Sequence, residues 1–290
     1  MDDLREIRTL LAKPDPSPEV VARRRQEVRA GMRRSAPMRR ARWLLVPVAA
    51  AAAAAAFVIV PAGSGEPAPA SKNGREVLLV AAVSAERTPE GSGTYWHITV
   101  THEKYPVEEY WYRRDGSFWL KGKGLKGQGK LFKFPGEPQP FAVGPLRMTF
   151  DELRRLPDDE NALYDRLRSA VTESDLRTSG GPATTTEQDG FAVEALVSLI
   201  SEAPVSPQVR AAAYRALASR PGVVDLGDTD GGRRLRLPLA HPGADTVVVD
   251  PDTARVRNTR LWFPLTGGAA YVEDGGVTID AEWTDHLPAE

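Results

Sequence analysis

The segment from Gly122 to Leu131, GKGLKGQGKL, carries two spacings associated with phosphate binding. Gly122-x-Gly124-x-x-Gly127 matches the dinucleotide pattern, and Gly124-x-x-x-x-Gly129-Lys130 matches most of a P-loop. Both chemistries need backbone N–H groups at the start of a helix, where the helix dipole holds the phosphate. From Lys130 onward the chain reads KLFKFPG, which alternates like a strand and stops at Pro135. Leu131 stands where Ser or Thr must reach magnesium, and no acidic residue lies about 20 positions on in a βαβ setting. The segment therefore reads as a Gly-rich hairpin loop, and no cofactor is expected.

The other chemistry-bearing residues are scattered. His97 and His102 lie five apart on one strand and so point to opposite faces. His241 and His286 have no His or carboxylate neighbour at ligand spacing. Asp228-x-Asp230-Gly231 begins like a calcium loop, but Gly232 and Arg233 end the likeness, which leaves a hairpin turn. Glu108 and Glu109 are adjacent, so one faces away from any shared site. The sequence has no Gly-x-Ser-x-Gly elbow and no His-Glu-x-x-His pair. No catalytic residue, metal ligand or cofactor-binding residue is assigned, and the reading is non-enzymatic. Phe118, Trp119, Lys121, Lys123, Lys126, Lys130, Phe132, Lys133 and Phe134 form a basic, aromatic stretch. Outside a cell its natural partners are anionic lipid heads or wall polymers; the plainer reading is an edge hairpin that Lys keeps from pairing.

These residues must be carried by elements. Glu76 to Ala85 reads as a helix. Thr94–His102, Val107–Asp115, Gly116–Gly122 and Lys130–Gly136 are aromatic and β-branched runs separated by turn residues, with Asp115-Gly116 as a hairpin signal. Four helices come next: Phe150 to Leu156; Leu163, Leu167, Ala170 and Val171 after an Asp158/Asp159 cap; Phe191, Ala195, Leu196, Leu199 and Ile200; and a fourth begun by Ser206-Pro207. SGGPATTTEQDG between the second and third reads as a flexible loop. Strands then return in GVVDLGD, RRLRLPLA, DTVVVDP, ARVRNTRLWF and GVTIDAEW, with Asp250-Pro251-Asp252-Thr253 as a turn.

Upstream, Trp43 to Ala62 is uncharged. About 20 helical residues cover roughly 30 Å, the thickness of a bilayer core. Arg33, Arg34, Arg39, Arg40 and Arg42 crowd its N-terminal side, which by the positive-inside rule keeps the N-terminus in the cytoplasm. An export signal is the alternative, with Ala68-Pro69-Ala70 as its cleavage site, but the apolar core is long and some 40 residues precede it. Residues 1–42 hold 12 Lys/Arg against 6 Asp/Glu, net +6, and the remainder holds 26 against 33, net −7. The basic piece suits an anionic leaflet, and the acidic remainder argues against nucleic acid. Leu4, Ile7, Leu10 and Leu11 form an apolar stripe fit to dock a protein partner. The chain has no Cys, which excludes disulfides and thiol chemistry.

The layout resembles a group of actinobacterial single-pass membrane proteins. The likeness rests on DLREIRTLLAKPDPSPEVVARRRQEVRAGM before the span and on three later blocks: FAVGPLRMTFDELRRLPDDENALYDRLR, SPQVRAAAYRALASRPGVVDLG and VVVDPDTARV. It implies an outer domain that senses the envelope and N-terminal helices that contact an extracytoplasmic-function sigma factor. Residues 1–42 contain no His and no Cys, unlike the zinc-containing anti-sigma pattern. VVVDPDTARV also resembles the LolA/RseB-like carrier domains. That likeness implies a curved sheet wrapped around helices, with an apolar cavity for a lipid or lipopeptide and Trp96, Trp111, Trp119 or Trp262 in its lining.

The expectation is thus an α+β protein: a mostly antiparallel curved sheet with a helical insertion of about four helices, preceded by one transmembrane helix and a short cytoplasmic helical segment. Residues 1–42 are the cytoplasmic segment, 43–62 the span, 63–73 a linker and 74–290 the extracytoplasmic domain. The expected role is a membrane-anchored envelope sensor or regulator, with a lipid or lipopeptide carrier as the alternative.

Overall fold

The computed structural model describes residues 73–289, save 179, 242, 244, 265–268, 273 and 274. The first element is α1 (Gly74–Arg87). Asn73 caps it, its side chain accepting from the Glu76 amide at 2.9 Å. Four strands come next, β1 (Tyr95–His102), β2 (Glu108–Arg113), β3 (Phe118–Gly122) and β4 (Phe132–Lys133), and then a separate hairpin, β5 (Phe141–Val143) and β6 (Leu146–Met148). The helical insertion is α2 (Phe150–Arg154), α3 (Glu160–Glu173), α4 (Thr185–Ser201) and α5 (Pro207–Ala218), with a hairpin of two-residue strands, β7 (Arg177–Thr178) and β8 (Gly181–Pro182), before α4. The chain closes with β9 (Val224–Thr229), β10 (Gly232–Arg236), β11 (Thr246–Asp250), β12 (Arg255–Thr259), β13 (Leu261–Trp262), β14 (Ala270–Tyr271) and β15 (Val277–Thr284).

Nine strands form one antiparallel sheet in the order β4-β3-β2-β1-β15-β12-β11-β10-β9. The last strand pairs with the first, from Tyr95–Thr284 to His102–Val277, so the two ends of the domain meet in the middle of the sheet. One face packs on the helices. Trp96, Ile98, Val100, Tyr112, Val249 and Ile279 point into a core shared with Leu78, Leu163, Leu196 and Leu217. Alternation of buried and half-buried residues along β1 sets which side chains reach that core.

Helix starts obey local chemistry. Thr149 with Glu152 and Thr184 with Glu187 are capping boxes, each pair satisfying two donors reciprocally. Asp159 caps α3, and Ser206 with Pro207 at the first position starts α5. α4 is buried over most of its length, from Gly190 to Ser201. α1 lies along α5, where Ala81, Ala82 and Ala85 meet an Ala-rich face of Ala211, Ala212 and Ala216, all buried. Small side chains let the two backbones approach closely, and Arg215 pairs with Glu86 at the rim.

Several expectations need correction. Among the described residues the fold is α+β with a large antiparallel sheet and five helices, and no helix there is long and apolar enough to cross a membrane. The longest, α4, has 17 residues, and Glu194 and Glu202 are buried along its second half and cap. The segments 1–42 and 43–62, with Leu4, Ile7, Leu10 and Leu11, lie outside the described residues, as do residues 63–72 of the linker. The loop expected between the second and third insertion helices is partly helical, because the Thr184/Glu187 box starts α4 ahead of Gly190. Gly190 is tolerated there for a packing reason: a Cβ would lie 2.5 Å from the Ala240 amide nitrogen. The strand expected over Lys130–Gly136 shrinks to two residues, and the hairpin at 141–148 falls within a block that carries no strand expectation.

Candidate functional site

The nine-stranded sheet forks. β12 and β15 are neighbours through a single pair, Thr259–Val277. Beyond it β15 stays paired with β1 as far as Thr284, and β12 stays paired with β11 as far as Arg255. The open end of the fork is a cleft of about 310 Å³. One wall is the turn and start of β12, Thr253–Val256; the other is Ile279–Trp283 of β15. Its floor is helical, built from Ala85 of α1, Ile200 and Ser201 at the end of α4, and Pro207 and Arg210 of α5. Trp96 of β1 and the Thr88–Gly91 loop after α1 complete it.

The polar groups of the cleft are held in place. The Trp96 indole N–H donates to the Glu202 carbonyl at 2.7 Å, and its ring meets Trp283 edge-on at 5.2 Å. Trp283 in turn carries the Arg114 guanidinium 4.7 Å from its ring centroid. Arg210 donates to the carbonyls of Ile200 at 2.9 Å and Ala203 at 3.1 Å, so a cation caps the C-terminal end of α4. Burial lowers its guanidinium pKa, against the nearby Tyr214. Across the mouth Arg255 pairs with Asp280 at 3.2 Å, and the Thr278 hydroxyl donates to the Arg257 carbonyl at 2.9 Å. Tyr214, fully buried, donates to the Ala254 carbonyl at 2.9 Å and pins the β12 limb from inside.

Behind the cleft α4 and its cap carry a polar stripe at helical spacing: Glu194, Ser198 and Glu202, all buried. The Ser198 hydroxyl donates to the Glu202 carboxyl at 2.6 Å. Burial pushes the Glu202 pKa up to about 8, while hydrogen bonds from Ser198, Phe263 and Trp262 pull it down. Glu194 meets His241 Nδ1 at 2.7 Å, and burial raises its pKa although that bond favours the charged form. His241 thus has a carboxylate neighbour 47 residues away in sequence, which spacing along the chain could not reveal. The hydroxyl–carboxyl pair of Ser198 and Glu202 is buried. Among the described residues no group of three or more His, Cys, Asp or Glu could hold a metal ion.

The four tryptophans singled out from sequence go to three places. Trp96 lines the cleft. Trp111 and Trp119 lie on the other face of the sheet in a small cluster with Leu131, covered by Tyr95 and Leu287. There His97 stacks on Trp111 at 4.5 Å; its burial lowers its pKa, opposed by Glu109 and Glu282. Trp262 is in the main core, beside His102 and Tyr110. Trp283 and Arg210, both in the cleft, escape the sequence reading; alternation around Trp283 in VTIDAEWT is the one signal for the former. The Gly122–Leu131 segment is a run of turns, and it leads into β4 rather than a helix. Three lysines in or beside it are engaged locally: Lys121 pairs with Glu109, and Lys126 and Lys133 sit over Phe134 and Trp119.

Comparison with protein-family models, curated proteins and solved structures finds no match to this chain.

Proposed function

We propose that residues 74–290 act as a ligand-binding domain of sensor or carrier type, not as an enzyme, and that the cleft at the fork of the sheet is the ligand site. The observation that carries the reading is the mixed composition of that cleft: two indoles, Trp96 and Trp283, with Ala85, Ile200 and Val256, stand against the charged groups of Glu90, Arg255, Asp280 and Glu282 and the half-buried guanidinium of Arg210. Ligand sites are concave and combine apolar walls with fixed polar groups, and a volume near 310 Å³ is at the lower end of their range. An amphipathic ligand of the lipid or lipopeptide class matches both kinds of wall. The burial of Ser198–Glu202 supports binding over catalysis, since that hydroxyl and carboxyl do not face the opening.

The test uses the full-length chain and 11-(dansylamino)undecanoic acid, a fluorescent fatty acid. Saturable, blue-shifted emission is expected, weakened at least tenfold by Ala281→Trp, which fills the cleft from β15. An unchanged melting temperature would show that the variant is folded. Absence of saturable binding would remove the lipid class as the ligand, and full binding by the folded variant would remove the cleft as the site.

A further inference from the structure

The fork gives the cleft a property that an apolar pocket does not need. In a sheet each strand uses both edges, and an interior strand with one edge unpaired leaves every second backbone N–H and C=O without a ladder partner. β15 is such a strand. Eight of its residues pair with β1, and one pairs with β12. This is the shortest ladder in the nine-stranded sheet, and it lies between interior strands rather than at a rim. β12 is in the same position from the other side, paired with β11 along its length. The open edges face each other across the cleft, at Arg255 and Val256 on one limb and Ile279–Trp283 on the other.

Sheets protect open edges by covering, charging or twisting them. Here the cover is partial: Arg255–Asp280 and the Thr278 hydroxyl on the Arg257 carbonyl bridge the limbs, and the Thr88–Gly91 loop lies beside Trp283. Arg255 and Asp280 are half exposed or more, at 58% and 50%, so water competes for that pair and it is a weak clasp. The stretch Ile279–Trp283 spans roughly 13 Å, the length of a four- to five-residue extended segment. Along that length Ile279, Ala281 and Trp283 offer alternating contacts on the helix side, the spacing at which alternate side chains of an added strand fall.

Resting on the reading of the cleft as a ligand site, we propose that its ligand is an extended peptide segment, bound by strand addition to the open edge of β15 after the Arg255–Asp280 clasp opens. Main-chain hydrogen bonds supply the attraction, and the Trp96–Trp283 pair receives one apolar side chain or an acyl group attached to the peptide. A ligand that only fills apolar space would leave the backbone edge unused.

Random dodecapeptides displayed on phage are selected against the full-length chain, and an enriched sequence is synthesised with and without N-methylation of alternate amides. Strand addition uses one edge of the peptide. N-methylation on one parity should therefore weaken binding at least tenfold, while the other parity leaves it within about twofold. Arg255→Ala with Asp280→Ala should tighten binding severalfold by removing the clasp, and Ala281→Trp should abolish it. If the dansyl fatty acid binds and no peptide is enriched, or if both parities of N-methylation are harmless, strand addition is wrong while the cleft remains a ligand site. If neither probe binds, the ligand-site reading fails as well.

Discussion

Trp96 and Glu202 are joined by a 2.7 Å hydrogen bond from the indole N–H to the main-chain carbonyl, which ties the inner face of β1 to the residue ending α4. The same Glu202 carboxyl is approached by the Trp262 indole and the Phe263 amide. One helix end therefore anchors both the first strand and the segment after β12. Trp96→Phe should leave a buried carbonyl without its donor and cost about 1–3 kcal/mol. Urea unfolding would check this, and a loss under about 0.3 kcal/mol would show the bond to be dispensable.

Glu202 also sets a pH dependence. Its folded pKa is raised to about 8, above the ordinary carboxyl value, chiefly by burial. The folded state therefore holds a proton that the unfolded chain has released, and stability falls as pH rises from the unfolded pKa towards 8. The contribution is fully present below the unfolded pKa and lost as pH passes through the folded one. Glu202→Gln should flatten the fall between about pH 5 and 8. Melting temperatures across that range would decide it: parallel curves for the two proteins would assign the dependence elsewhere.

The Glu194–His241 contact holds His241 against α4. His241→Ala would leave Glu194, which has no exposed surface, without this partner. A loss of about 2–4 kcal/mol is expected. Adding Glu194→Gln should return part of it, since a neutral amide is easier to bury than a carboxylate left with backbone donors alone. A double-mutant cycle measures the coupling, and additive losses would mean that the pair acts through separate contacts.

Two glycines with positive φ should respond differently to alanine. Gly144, in the β5–β6 turn at φ +58°, has the Ala195 amide nitrogen 2.7 Å from where a Cβ would sit. Gly136, at φ +117°, has open space there. Gly144→Ala adds a collision with the α4 backbone to the conformational strain, so it should cost at least about 2 kcal/mol more than Gly136→Ala. Equal losses in denaturant titrations would show that the hairpin moves aside easily.

The arrangement of elements is legible where local chemistry is strong. Ser206-Pro207, Asp159, the alternating strand around Trp96 and the β-branched run around Val249 stand near the positions the sequence assigns, because caps and short strand patterns act over a few residues. Thr184-x-x-Glu187 is present in the sequence, but the glycines on either side of it read as loop and hide the start of α4. The candidate site is far less legible. Trp96 stands out for being aromatic, but nothing in its neighbourhood distinguishes it from Trp111, one strand away on the opposite face.

The sequence by itself determined the class of the domain, the absence of cysteine chemistry, and the turn and cap residues that punctuate strands and helices. Tertiary structure alone decided that β15 returns to lie between β1 and β12, that its ladder with β12 ends after one pair, and that Arg210, Trp96 and Trp283 converge there. It also decided that Glu194 meets His241. The reason is one of range: caps, turns and alternation are settled between residues a few positions apart. A fork in a sheet depends on strand pairing between segments at opposite ends of the domain, and that pairing is selected only when the whole core closes.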